Sequence, residues 1–250
     1  MPPPLDVPTP TVVIDAAVLE RNIASMAQSA RVRGLQLRPH AKTHKIPEIA
    51  RLQLEAGAAG LTVATIGEAE VFADAGIGDV FIAYPLWVDG PAALRLLALA
   101  QRLRLAVGVD SVEGVRQLSR SLGSGAGRVA VRVEVDSGHH RSGVLPHQAV
   151  TVALAARSAG LRVTGLFTFP GHSYGPDLAA QAAVDEQEAL AEAAADLRDA
   201  GFSSLEISGG STPPRASARP GCSPNSGRGC TCSGTRSSGS WGTAGPRTSP

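Results

Sequence analysis

Short apolar runs alternate with amphipathic helical stretches from residue 11 to about residue 213, and this alternation constrains the fold of the 250-residue chain. Repeated strand–helix units predict a parallel α/β sheet. The predicted strands are Thr11–Ile14, Leu35–Pro39, Gly60–Ala64, Val80–Tyr84, Leu103–Val109, Val129–Val135, Leu161–Phe169 and Ser204–Ser208. The predicted helices are Ala17–Ala30, Pro47–Ala56, Gly67–Ala75, Pro91–Gln101, Val112–Leu122, Gln148–Ala159 and Leu178–Ala200.

The strands after the first one favour a (β/α)8-type TIM barrel that is incomplete at its last strand. The missing strand would fall where the composition changes abruptly, after residue 213. A doubly wound sheet is the alternative. Its dinucleotide-binding form is disfavoured, because no G-x-G-x-x-G run opens a helix in this sequence.

Residues 214–250 contain no Leu, Val, Ile, Phe, Met or Tyr, and no acidic residue. Such a segment cannot bury enough apolar surface to offset the entropy of ordering it. We therefore predict three parts: an N-terminal segment and strand (1–16), an α/β barrel (17–213) and a disordered low-complexity tail (214–250). The tail is either a natural extension or the product of a shifted reading frame, and its abrupt start favours the second explanation.

The tail also holds all three cysteines, Cys222, Cys230 and Cys232. Cys230 and Cys232 have neither a second cysteine pair nor a nearby histidine, so they do not complete a four-ligand zinc site. No metal ligands are predicted in this chain.

The net charge of +1 disfavours nucleic acid or a membrane surface as the main partner. No apolar stretch is long enough to span a bilayer, and the start of the chain lacks the basic and apolar segments of a signal peptide. We therefore predict a cytoplasmic protein.

Lysine occurs at two positions only, Lys42 and Lys45, both within Arg38-Pro-His-Ala-Lys-Thr-His-Lys45. Burial can deprotonate a lysine amine and allow it to add to a carbonyl carbon, whereas arginine keeps its proton. The pattern favours a lysine that forms a Schiff base. A pair of ordinary surface lysines is the alternative.

Polar residues cluster where the predicted strands end, and chemistry in a barrel sits at these carboxyl ends. Each loop taken alone has an ordinary interpretation. Asp136 could brace its loop with Arg141 as a surface partner, and His172 and Tyr174 could cap a turn. The last glycine-rich run could be only a flexible turn. Together, a lysine opposite a Gly/Ser/Thr anion site is typical of a pyridoxal phosphate pocket. The four loops are His40–Lys45, Asp136–Gly143, Pro170–Tyr174 and Ser208–Pro213.

The runs RPHAKTHK, EVDSGHHRSG, FPGHSY and SGGSTP, in this order and spacing, resemble the D-threonine aldolase/D-serine dehydratase branch of the fold-type III pyridoxal phosphate enzymes. The similarity covers roughly residues 8–213 and implies an alanine racemase-like barrel. It implies that Lys42 is the Schiff-base lysine, that His40 and His44 flank it with catalytic roles, and that Lys45 opens the next helix. The cofactor contacts that it implies, besides Lys42, are Arg141, His172, Tyr174, Ser208, Gly209, Gly210, Ser211 and Thr212.

The resemblance implies a lyase acting on D-3-hydroxy amino acids, by retro-aldol cleavage of D-threonine or by dehydration of D-serine. Two other functions stay open: an amino-acid racemase, and a non-catalytic pyridoxal phosphate-binding homeostasis protein. Members of the family continue into a C-terminal β-domain that supplies divalent-metal ligands and helps to build a homodimer. That domain and its ligands have no counterpart here, since no histidine follows His172, and we expect this chain to be unstable or inactive.

Overall fold

The computed structural model describes residues 7–175 and 177–211, together with the backbone of residues 230–232. Along these residues strands and helices alternate, as the sequence predicts. The strands are β1 Gln36–Leu37, β2 Leu61–Val63, β3 Asp79–Pro85, β4 Arg104–Val109, β5 Ala130–Glu134, β6 Arg162–Phe167, β7 Glu206–Gly209 and β8 Cys230–Cys232. The α-helices are α1 Ala16–Val32, α2 Pro47–Glu55, α3 Ile66–Asp74, α4 Gly90–Arg102, α5 Val112–Leu122, α6 Ala149–Ser158 and α7 Ala179–Asp199.

All neighbouring strands run parallel, in the order β1-β8-β7-β6-β5-β4-β3-β2. The chain just after β1 reaches β2, because the N–H of Thr62 donates to the carbonyl of Pro39 at 2.8 Å and His40 bridges to Thr62. The sheet thus closes on itself without the reversal of strand order that a doubly wound sheet requires. The prediction of a parallel α/β barrel is confirmed.

The position between β7 and β1, where we expected no strand, is taken by backbone from the tail. Thr231 is the register partner of both Gln36 and Ser208. The rest of residues 212–250 lies outside the described residues, so the division into 1–16, 17–213 and 214–250 stays a prediction.

The predicted strand Thr11–Ile14 is wrong. Residues 11–15 pair with no strand among the described residues, and Val12 is 91% exposed. A strand is held by hydrogen bonds to a neighbouring strand, and the described part of the chain offers none here. The first regular element is α1, where Asp15 accepts a hydrogen bond from the N–H of Val18 at 2.9 Å.

The core has two parts, because alternate strand residues point to opposite faces of the sheet. Val131 and Val133 of β5 face outward and belong to the large apolar cluster shared with the helices. Phe81, Ala106 and Phe167 form a smaller cluster inside the barrel, in which the rings of Phe81 and Phe167 meet edge to face at 4.9 Å.

The amino end of the barrel interior is filled by ion pairs. Arg38 pairs with Asp79 at 2.6 Å, and Arg132 pairs with Glu206. Arg132 is buried, and this burial, followed by the charge of Arg38, lowers its pKa to about 10. Charged side chains at the amino end therefore pair with one another inside the barrel, and the candidate functional residues lie in the loops at the opposite, carboxyl end.

No helix of the described residues is both long and apolar enough to cross a membrane.

Candidate functional site

The half-buried ring of Phe169 is the centre of the site at the carboxyl end of the barrel. Lys42 Nζ lies 5.1 Å from its centroid and Arg141 Cζ lies 4.9 Å from it. His139 meets the ring edge to face at 5.5 Å, and the ring of Tyr174 lies 6.4 Å away. One aromatic ring thus brings together the loops after β1, β5 and β6, including three predicted site residues: Lys42, Arg141 and Tyr174.

Lys42 lies on a single 3₁₀ turn, Ala41–Thr43, directly after the strand end. Partial burial of its amine, and then the positive charge of Arg141, lower its pKa below that of an ordinary lysine. Both effects disfavour the ammonium form. A larger fraction of Lys42 is therefore the neutral amine, the form that can add to a carbonyl carbon.

His40 holds the turn that carries Lys42, because its Nδ1 accepts the backbone N–H of Lys42 at 3.2 Å. Burial and the nearby charge of Lys42 lower the pKa of His40 to about 4. The imidazole is therefore neutral at physiological pH, as an acceptor role for Nδ1 requires.

His44 is not brought to Phe169. Its Nδ1 accepts the N–H of Ile46 at 3.0 Å, and its ring lies 6.4 Å from that of Phe72 in the outer core. Burial lowers the pKa of His44 and so favours its neutral form. It packs between the loop and α3, and its catalytic role stays a prediction.

Lys45, the other lysine, forms an ion pair instead of facing the ring. Its Nζ lies 3.0 Å from Glu68 Oε1, and Glu68 Oε2 accepts the N–H of Ala64 at 2.7 Å. The backbone of Lys45 is left-handed, with φ of 52°. Lys45 thus fastens the lysine-bearing loop to α3, ahead of the helix that begins at Pro47.

Asp136 shapes the loop after β5. It accepts hydrogen bonds from the N–H groups of Gly138 at 2.9 Å and His140 at 3.0 Å, and its other oxygen lies 2.7 Å from His140 Nδ1. Burial raises the pKa of Asp136, but these hydrogen bonds outweigh burial and lower it overall. Asp136 is a loop brace as the sequence suggested, but its partner is His140, which leaves Arg141 to face Phe169.

Glu134, the last residue of β5, is a buried carboxyl beneath this loop. It accepts a hydrogen bond from the hydroxyl of Ser142 at 2.9 Å. Burial raises its pKa to about 7, against the smaller lowering effects of Ser142 and Arg141. Glu134 therefore titrates near neutral pH.

The glycine-rich loop follows β7. Ser208 and Ser211 are buried, Gly210 has φ of 109°, and the hydroxyl of Ser211 lies 2.7 Å from that of Ser173. The hydroxyl pair joins this loop to the turn that carries His172 and Tyr174. The N–H of Gly210 donates to the carboxylate of Glu186 on α7. Thr212, also predicted to contact the cofactor, lies outside the described residues.

His172 lies at the edge of the site, with Nε2 3.1 Å from Asp185 Oδ2 on α7. Its ring lies against Gly138, where a Cβ would come within 3.3 Å of it. His172 thus packs the turn after β6 against the loop after β5. Among the residues that the structure describes, no group of three or more His, Cys, Asp or Glu side chains could hold a metal ion.

Residues 14–222 match the family model described as alanine racemase, N-terminal domain. The chain belongs to this family. It is 50% identical over 151 residues to an uncharacterised protein of Mycobacterium tuberculosis, a match that covers 60% of this chain and 88% of that protein. It is 37% identical over 217 residues to a D-threo-3-hydroxyaspartate dehydratase of Delftia sp. strain HT23, covering 84% of this chain and 56% of the dehydratase.

A solved D-threonine aldolase from Filomicrobium marinum superposes with a TM-score of 0.81 at 34% identity, covering 92% of this chain and 62% of that one. The chain therefore spans just over half the length of these named relatives. The fold predicted from the four runs and the family that they resemble are confirmed.

The described residues fit pyridoxal phosphate by the chemistry of their donors. An amine of lowered pKa lies beside an aromatic ring, a cation lies on the same ring, and buried hydroxyls flank a glycine turn. One predicted contact is already engaged, because the Gly210 N–H donates to Glu186.

Sequence reasoning missed four residues that organise the site: Glu68, Glu134, Phe169 and Glu186. Phe169 could have been found, since it ends a predicted strand and is the first residue of the run FPGHSY. Glu186 could not, because one of three glutamates in an alanine-rich helix carries no signal of its own.

Proposed function

We propose that this barrel serves a pyridoxal phosphate-dependent lyase that acts on D-3-hydroxy amino acids. The observation that carries the proposal is the placement of Lys42 and Arg141 on the ring of Phe169, at the end of the barrel where such enzymes bind their substrates. Lys42 would hold the aldehyde carbon of the cofactor, and the Ser208–Ser211 loop would hold its phosphate.

When bound, pyridoxal phosphate acts as an electron sink for a bond at the α-carbon of an amino acid. The chain's own residues prepare that chemistry. The lowered pKa of Lys42 keeps its amine available, and neutral His40 holds the turn that aims it. Arg141 adds a positive charge beside the ring of Phe169, which suits an anionic oxygen of cofactor or substrate.

The substrate class rests on what the relatives share. One is named as a D-threo-3-hydroxyaspartate dehydratase and another as a D-threonine aldolase, and each name specifies an amino acid of D configuration with a hydroxyl on the β-carbon. These names span both dehydration and aldol cleavage, so we extend only the common substrate class to this chain.

The binding half of the proposal is tested by the absorbance of lysine-bound pyridoxal phosphate in the purified protein. Lys42→Ala should abolish the visible band. Lys45→Ala is the matched control and should keep the band, because Lys45 pairs with Glu68 away from Phe169. An unchanged spectrum in Lys42→Ala would remove Lys42 from the site.

The reaction is tested by incubating the loaded protein with D-threonine, D-serine and D-3-hydroxyaspartate, with and without a divalent metal. Release of glycine indicates aldol cleavage, and release of a keto acid with ammonia indicates dehydration. Loss of optical activity from alanine would favour a racemase instead. A stable band without turnover of any substrate would favour a pyridoxal phosphate-binding homeostasis protein.

A further inference from the structure

Two neighbouring carboxylates on α7 contact two different loops of the site. Asp185 lies 3.1 Å from His172 in the turn after β6, and its other oxygen accepts a hydrogen bond from Gln181 at 2.8 Å. Glu186, the next residue, accepts the backbone N–H of Gly210 in the glycine-rich loop after β7. Helix α7, which packs outside the barrel, thus contacts both the turn after β6 and the loop after β7.

The glycine-rich loop is built to admit Glu186. A Cβ at Gly209 would collide with Glu186 Oε1 and would come within 3.2 Å of Leu190. Any larger residue at Gly209 would therefore displace the Glu186 carboxylate from the position in which it accepts the Gly210 N–H. Packing against Glu186 thus explains why glycine stands at position 209, independently of any contact with an anion.

The glycine-rich loop is also hydrogen-bonded to the turn after β6. The hydroxyls of Ser173 and Ser211 are buried and lie 2.7 Å apart, so a hydrogen bond joins the turn that contacts Asp185 to the loop that contacts Glu186. The loop is therefore held at two points, the Gly210 N–H and the Ser211 hydroxyl.

We propose that Glu186 is a positioning residue that fixes the glycine-rich loop in its phosphate-binding shape. This inference rests on the proposed function and deepens it. It also reassigns Gly210: its N–H serves to hold the loop, and the phosphate group is bound by the other donors of residues 208–211. A positioning role of this kind predicts an effect on the phosphate-bearing ligand and none on the same ligand without its phosphate.

The test compares dissociation constants of pyridoxal 5′-phosphate and of pyridoxal, which lacks the phosphate, from the lysine-bound absorbance band. Glu186→Ala removes the acceptor and should weaken the binding of pyridoxal phosphate by at least about tenfold, the lower end of the range expected for a hydrogen bond to a charged group. Pyridoxal binding should change by less than about twofold. Glu186→Gln keeps an oxygen that can accept the Gly210 N–H, so it should restore most of the affinity.

Glu188→Ala is the matched control, because Glu188 is exposed on the same helix. It should leave both constants unchanged. The inference is overturned if Glu186→Ala binds pyridoxal phosphate as well as or better than the parent chain, or if both ligands weaken equally. It is also overturned if Glu186→Gln is as weak as Glu186→Ala. Absence of the band in the parent chain would contradict the proposed function itself, whereas a normal parent band with these results contradicts the positioning role alone.

Discussion

Positively charged side chains have different partners at the two ends of the barrel interior. At the amino end, Arg38 and Arg132 are buried and paired with Asp79 and Glu206. At the carboxyl end, Lys42 and Arg141 share the ring of Phe169, and neither forms an ion pair with a carboxylate among the described residues. Cations that find acidic partners within the chain stabilise the fold, whereas cations left facing an aromatic ring are suited to a ligand that brings its own negative charge.

The largest expected effect comes from breaking a pair at the amino end. Glu206→Ala would leave the guanidinium of Arg132 buried without its carboxylate, which should lower the free energy of unfolding by about 3 kcal/mol. Arg141→Ala, at the exposed carboxyl end, should change it by less than about 0.5 kcal/mol. Urea denaturation of both variants measures the difference. Equal losses would remove the distinction between the two ends.

Of the contrast between the two ends, the sequence predicts the loops of the carboxyl end but not the ion pairs of the amino end. The strand–helix alternation and the four runs after the strands predicted the barrel and the loops that carry Lys42 and Arg141, because strand ends and motifs are local. The partners of Arg38 and Arg132 were not predictable, because Asp79 and Glu206 lie 41 and 74 residues away from them and meet them only in the closed sheet.

The errors have the same origin. Thr11–Ile14 has the apolar, β-branched composition of a strand, yet composition cannot supply a neighbouring strand, and these residues form no regular element before α1. Conversely, residues 230–232 have no strand-like pattern, yet their backbone pairs with β1 and β7. His44 lies in the same run as Lys42, but the turn at Ala41–Thr43 directs it to Phe72.

A second prediction concerns the buried carboxyl at the carboxyl end. The pKa of Glu134 is raised to about 7 from an ordinary value of 4.5, so the folded chain binds this proton more tightly than the unfolded chain. Its contribution to stability is therefore present below pH 4.5 and is lost as the pH rises through 7. Glu134→Gln should increase the free energy of unfolding at pH 8 by an amount on the order of 2 kcal/mol.

The control for Glu134→Gln is the pH itself. Near pH 4.5 the native carboxyl is protonated and the two chains should be equally stable, since glutamine can still accept the hydrogen bond from Ser142. Denaturation curves at pH 4.5, 6 and 8 give the profile. A constant difference across this range would mean that packing, and not ionisation, separates the two chains.

The smallest expected effect tests whether the two cations on Phe169 influence each other. Burial and then the charge of Arg141 lower the pKa of Lys42, so Arg141→Gln should raise that pKa while leaving it below the ordinary value of 10.5, because burial is the larger cause. Lys45→Arg leaves Lys42 as the single lysine of the chain, and ¹³C-methylation then allows its amine to be titrated by NMR. Arg120→Gln, which alters an exposed arginine of α5, is the control and should leave the titration unchanged. A Lys42 titration that does not move in Arg141→Gln would mean that the two cations act independently, and the carboxyl end would then hold two separate charges instead of one coupled site for an anionic ligand.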